Sequence, residues 1–304
     1  MEHVLSRFGG GPCDAAIFCE SALARMRSVR IDFASTLGFL LRALAETPAN
    51  LVAYACSGSG VQLEQGVIDL DFATIVNCGS GLVSSNGHVG AVHSTLFYGN
   101  ATEVTGYPLG TVIGSRLTGA HAAVSGNFSG DPLLASVATG DLQLSAGPPR
   151  LDVGDVAIAD GLVVDHVEAP RLFDGDSDII IEPDVGAYEA TSAALDGPSD
   201  GQLGTDIDFG VGAAAGSFAL LGGILDGSFE VSGIGLVTIG TPATVQGFLA
   251  LGVPFGTFYS VGNVATLSLP YVPTAEGITI AFQAIYFDGQ GYSLTNRTRV
   301  RLHL

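Results

Sequence analysis

Short apolar runs, cut by Gly, Ser and Asn, fill the chain from about Ala15 to Ser129. Inside the runs, apolar and polar residues alternate with a period of two, which marks strands with one buried face. The reading sends Ile31 and Phe33 inward and Arg30 and Asp32 outward. It likewise turns Leu70 and Phe72 inward and Asp69 and Asp71 outward.

The runs repeat. Residues 30–35 (RIDFAS) match 69–74 (DLDFAT), 73–77 (ATIVN) match 94–98 (STLFY), and Gly114-Ser115-Arg116-Leu117 fall under His93-Ser94-Thr95-Leu96. The last two steps are 21 residues and the first is 39, roughly two steps. One apolar strand per repeat of about 20 residues predicts a solenoid whose rungs stack at the inter-strand spacing of about 4.8 Å. Cys56 and Cys78 are 22 apart, which places them on neighbouring rungs as either a disulfide or a plain cysteine stack.

From Asp131 to Asp196 the character changes. There are 14 acidic residues against two basic ones, Arg150 and Arg171, and prolines at 132, 148, 149, 170 and 183 break any repeat. A linker rich in Gly, Ser, Pro and Asp follows near 190–204. Beyond it, candidate strands run over 217–225, 228–239, 246–251, 257–261, 264–270, 277–287 and 294–304. In the last, Val300, Leu302 and Leu304 alternate with Arg299, Arg301 and His303. Strands at this spacing suggest an antiparallel β-sandwich. The expected fold is all-β: a right-handed parallel β-helix, a pectate-lyase-like solenoid, over residues 1–193, then an antiparallel β-sandwich over 204–304.

Composition narrows the function classes. Eleven basic residues, all Arg, face 30 acidic ones, for a net charge of −19. Such a chain repels phosphate, which excludes nucleic acid as a partner and argues against an anionic membrane surface. With 43 Gly, long helices are disfavoured. The longest apolar stretch, 211–225, is too short and Gly-rich to span a bilayer, so no membrane span is expected. None of Cys13, Cys19, Cys56 and Cys78 forms a C-x-x-C pair, which argues against zinc. The opening, MEHVLSRFGGGPCD, lacks a leader signature, and the expectation is either a misplaced start or a fragment of a longer exported protein.

Residues 127–189 resemble the C-terminal end of bacterial exported parallel β-helix proteins with the choice-of-anchor Q type of repeat. The residues that carry this are Asp131-Pro132-Leu133, Gly140-Asp141-Leu142-Gln143-Leu144, Asp152-Val153-Gly154-Asp155 and Asp184-Val185-Gly186-Ala187-Tyr188-Glu189. The family's Ser-Pro step is altered here to Gly147-Pro148-Pro149. AAIFC at 15–19 resembles the family's rung starts, and the last hundred residues resemble the sandwich that ends planctomycete-like surface proteins. The resemblance implies the solenoid fold and an extracellular or cell-surface location.

Two groups are candidates for chemistry. Asp174, Asp176 and Asp178 alternate in a Gly-containing loop with Glu182 beyond, a candidate Ca²⁺ clip, since Ca²⁺ takes 6–8 oxygens at flexible geometry. Ile179 at position six and Val185 at position twelve exclude an EF-hand. Outward Asp32, Asp69 and Asp71, with Arg30 or Arg116 as base, are the candidate catalytic set of a polysaccharide lyase or glycoside hydrolase. His88, His93 and His121 are scattered, with His121 approaching His93 if rungs stack; Tyr98 and Tyr107 are the available sugar-stacking rings. The leading expectation is a non-catalytic extracellular or cell-surface module for adhesion, display or glycan contact, with polysaccharide as partner. The alternative is a carbohydrate-active enzyme. The two differ in whether Asp32, Asp69, Asp71 and a His or Arg converge in a groove.

Overall fold

The structure is a computed structural model. It describes residues 5–6, 15–20, 25–44, 46–124, 126–144, 153–159, 161–172, 182–190, 193–213, 216–223, 227–231, 235–243, 245, 257–287, 289 and 292–304. The chain divides into two compact units: Met1–Asp160 with Glu182–Ala190, and Gly161–Ile181 with Thr191–Leu304.

The first unit is a parallel β-solenoid of about four turns. Three parallel sheets run along it. One stacks Leu5–Ser6, Arg30–Asp32, Val52–Tyr54, Thr74–Val76 and Leu96–Tyr98. A second stacks Ala15–Glu20, Leu37–Arg42, Ser59–Glu64, Ser80–Ser85 and Thr102–Thr105. The third stacks Leu70–Asp71, Val92–His93 and Val112–Ile113, extended by single bridges from Arg27 to Ala49 and from Ala49 to Asp71.

Register sets the period. Arg30, Val52, Thr74 and Leu96 are successive partners, so a turn is 22 residues. The last turn shortens to 20, since Val92 pairs with Val112 and Leu96 with Arg116. The 21-residue step read from the sequence lies between these two values. The 39-residue match of 30–35 to 69–74 is not a structural equivalence, because Arg30 stands under Thr74 and Asp71 over Ala49.

Ile31, Phe39, Leu41, Leu51, Leu63, Ile75, Leu82 and Phe97 fill the solenoid core with no exposed surface. Each contributes roughly 1.5–3 kcal/mol by leaving water. Phe33 differs from the alternation: it lies 70 % exposed, whereas Phe72 is fully buried. Both phenylalanines follow their strands in the left-handed region, at φ 58° and 49°, where a strand's alternation does not carry through, and neither belongs to the solenoid's apolar core. The Phe33 ring meets Tyr54 edge-on, with centroids 5.3 Å apart.

The second unit is built of mainly antiparallel sheets around two apolar clusters, the larger about Phe209 and Phe282 and the smaller about Leu221, Ile239 and Leu294. Asp206–Gly212 lies between Ala194–Asp196 and Ala265–Ser268. The larger sheet orders Asp200–Gln202, Thr298–His303, Thr279–Phe287, Ser217–Gly223 and Phe258–Ser260, with Tyr292–Leu294 also on Thr279–Phe287. Phe209, Phe218, Leu220, Phe282 and Val300 are fully buried between them. In Thr298–His303, Val300 and Leu302 are buried while Arg301 and His303 are exposed, as period two requires. The stretch 228–239, read as one strand, is a pair, Phe229–Val231 with Gly235–Val237. The expected strand 246–251 lies outside the described residues.

Candidate functional site

The third solenoid sheet sets a carboxylate and an imidazole in register on consecutive turns. Strand Leu70–Asp71 brings Asp71 directly beneath His93 of the next turn. Their side chains meet, Asp71 Oδ1 to His93 Nδ1, at 2.9 Å. Both are mostly covered, at 14 % and 15 % exposure. Burial pushes the Asp71 carboxyl above its ordinary value, and the His93 bond opposes that. His93 is raised in turn by its bond to Asp71, against its own burial. The charges of Asp69 and Asp155 act on both.

Asp69 accepts the Ala91 amide at 2.7 Å and so ties one turn to the next. Asp155 caps the short helix Val156–Ala159, accepting the Ala157 amide at 2.9 Å. Its own amide donates to Ser94 Oγ at 2.9 Å.

Asp155 belongs to a closing layer made from two acidic motifs. The Gly154 amide donates to Pro183 O at 2.7 Å, joining them. Gly186 N donates to Ser94 O and Ala187 N to Thr74 Oγ1, each at 2.8 Å, which fastens Asp184–Glu189 onto the solenoid. Gly186 has φ 104°, and a Cβ there would lie 2.7 Å from Thr74 Oγ1, so only glycine fits. Inside the motif, Asp184 accepts the Ala190 amide at 2.6 Å and Glu189 accepts the Asp184 amide at 3.0 Å. Both carboxylates are buried and fasten the layer.

Arg30 and Asp32 lie in the first sheet, apart from Asp69 and Asp71 of the third. Arg30 holds three partners: Asp32 at 2.8 Å, Tyr188 Oη at 3.1 Å and Gly140 O at 2.6 Å. Arg116 is buried, donating to Gly130 O at 2.7 Å, to Phe97 O and to Glu103, with its guanidinium 4.9 Å from the Tyr98 ring centre. The structure thus joins Asp69 and Asp71 with His93 and Asp155, and places Arg30 with Asp32 elsewhere.

His88 is held by Ser84 at 3.0 Å and Ile68 O at 2.8 Å, and His121 lies in Ala120–Ala123, beyond the last stacked strand. Tyr107 is in the core rather than on a sugar-facing surface. Asp174, Asp176 and Asp178 lie outside the described residues, and Glu182 is half-buried. Among the described residues no three His, Cys, Asp or Glu side chains are grouped to hold a metal ion. The same residues contain no helix long and apolar enough to cross a membrane.

Asp155 is the participant that sequence reading missed, and so is the pairing of His93 with Asp71. The second had a signal: 22 residues, the same interval as Cys56 to Cys78. Asp155 had none, because it reaches the pair through a fold-back from 61 residues beyond Ser94. Compared with protein-family profiles, curated proteins and solved structures, the chain matches none.

Proposed function

We propose that the chain is a non-catalytic extracellular or cell-surface module, a rigid solenoid platform used in adhesion, display or glycan contact. The observation that supports this best is the engagement of the candidate catalytic groups in fastening the fold. Asp69 ties turn to turn, Arg30 and Asp32 clamp Tyr188 and Gly140, and Asp71 is bonded to His93. A lyase base or a hydrolase acid needs a side chain free to reach the substrate proton. The closing motifs' resemblance to exported β-helix proteins of the choice-of-anchor Q type supports the location, and we read the second unit as their terminal β-sandwich. With a net charge of −19, neutral glycans, or acidic ones bridged by Ca²⁺ at Asp174, Asp176, Asp178 and Glu182, are the partners its electrostatics allow.

A second reading, a polysaccharide lyase or glycoside hydrolase, is favoured by the Asp71–His93 pair beside Asp69 and Asp155, since both members of the pair are raised above their ordinary values, Asp71 by burial and His93 by its bond to Asp71. The experiment is affinity electrophoresis through gels of neutral and acidic polysaccharides, with Ca²⁺ and with chelator. Reducing ends and unsaturated-uronide absorbance are read on the same samples. Retardation without cleavage supports the module. Cleavage that disappears in a folded Asp71→Asn chain makes the pair an active site and sinks the leading reading. Neither retardation nor cleavage sinks glycan contact.

A further inference from the structure

Cys56 and Cys78 occupy the same place on consecutive turns of the solenoid. Tyr54 pairs in register with Val76 just before them, and Gly79 N donates to Cys56 O at 3.0 Å just after. Both side chains point into the core, at 1 % and 3 % exposure. The thiols are neighbours across the turn-to-turn step, Cys56 Sγ donating to Tyr54 O at 3.9 Å and Cys78 Sγ to Val76 O at 3.5 Å and Ala53 O at 3.8 Å. Glycines make the room: a Cβ on Gly38 would stand 3.1 Å from Cys56 Sγ, and one on Gly60 3.1 Å from Cys78 Sγ. The same column is continued by Ala34 below and Asn100 above, so among the described residues no third thiol stands in it. Neighbouring turns are about 4.8 Å apart, inside the roughly 4.4–6.8 Å range of Cα separations that a cystine spans.

We propose that Cys56 and Cys78 are a modification site, closing into a turn-to-turn cystine when the chain folds in the presence of a small-molecule disulfide such as oxidised glutathione. The burial of both sulfurs dictates the timing, because an oxidant reaches them only before the turns are sealed. One of the two cysteines, as its thiolate, attacks first. Its sulfur bonds to one glutathione sulfur and expels the other as a thiolate. The second cysteine then gives up its proton, bonds to that protein sulfur and expels the remaining glutathione. Two protein thiols lose two electrons, and one glutathione disulfide becomes two glutathione thiols. Such a bond marks a chain that folds in an oxidising compartment. The inference is independent of any glycan or enzyme reading.

The test uses the full chain with Cys13→Ser and Cys19→Ser, so that only this pair remains. The reduced, denatured chain is refolded into a glutathione redox buffer, and its folded fraction is alkylated and cut at glutamate. Cutting at Glu46, Glu64 and Glu103 puts Cys56 and Cys78 on separate peptides, 47–64 and 65–103. The expected result is one linked species that takes no alkylating agent until reduced. Melting should then lie roughly 5–10 °C above the reduced protein. Folded protein with both peptides separately alkylated overturns the proposal. Should the double variant fail to refold, the natural four-cysteine chain exported to an oxidising compartment is mapped in the same way, and Cys56 joined to any other cysteine overturns it equally.

Discussion

His93 Nδ1 stands 2.9 Å from Asp71 Oδ1, one solenoid turn below, and Asp155 of the closing layer adds its charge beside them. The pair makes stability depend on pH. The pKa of His93 in the fold lies above its unfolded value, so its contribution is complete below the unfolded pKa of about 6.5 and is lost as pH rises through the folded one. Asp71 is also raised, so its ionised form carries a cost that is absent below about pH 4 and complete above its folded pKa. Both effects make the fold stronger on the mildly acidic side of neutrality. Melting temperature should fall between pH 6 and pH 8, and His93→Gln should flatten that slope while costing about 1 kcal/mol at pH 6. A slope unchanged in His93→Gln would assign the pH dependence to other groups.

At the opposite end of the pH range, Glu64 works with the reverse sign. It accepts from Arg42 Nη2 at 2.6 Å, and that bond holds its carboxyl below the ordinary value. Its contribution is present above about pH 4.3 and is lost as pH falls through the folded pKa. Glu64→Gln should therefore lose most at neutral pH and little near pH 3, measured by urea midpoints at both.

Gly186 is where the closing layer touches the solenoid most tightly. Gly186→Ala forces a side chain at φ 104° against Thr74 Oγ1 and should cost about 2–4 kcal/mol. Faster amide exchange at Gly186 and Ala187 should accompany it. Gly210→Ala, with open space around its Cβ, should stay within about 0.5 kcal/mol.

Arg30 ties three separate segments by its partners Asp32, Gly140 and Tyr188. Arg30→Met leaves the Asp32 carboxylate, 13 % exposed, without its cation and should cost about 2–4 kcal/mol. Arg30→Met with Asp32→Asn should recover part of this in a double-mutant cycle. Additive losses would show that the two side chains do not act together.

Each unit has its own core, so core truncations should act locally. Phe39→Ala and Phe282→Ala each remove a fully buried ring and should cost roughly 3–5 kcal/mol. Hydrogen exchange should accelerate in the solenoid strands for the first and in the antiparallel sheets for the second.

Much of this architecture is written in the order of residues. Alternation is local, since successive side chains of a strand must point to opposite faces, so Ile31, Leu70, Val300 and Leu302 were readable as buried. The near-regular return of apolar strands was readable as a solenoid, and the 22-residue spacing of Cys56 and Cys78 as a place on neighbouring turns. Tertiary structure decided what depends on contact between distant segments. The turn is 22 residues and then 20, because register follows backbone hydrogen bonds between turns rather than the best match of side chains. Phe33 is exposed and Phe72 buried after the same kind of left-handed corner, and nothing local to either separates them. The acidic motifs around Asp155 and Asp184 fasten a layer onto Thr74 and Ser94, and nothing local to either partner specifies the other. For the same reason Asp71 and His93 became a pair, and Arg30 with Asp32 a clamp, only once the turns were stacked.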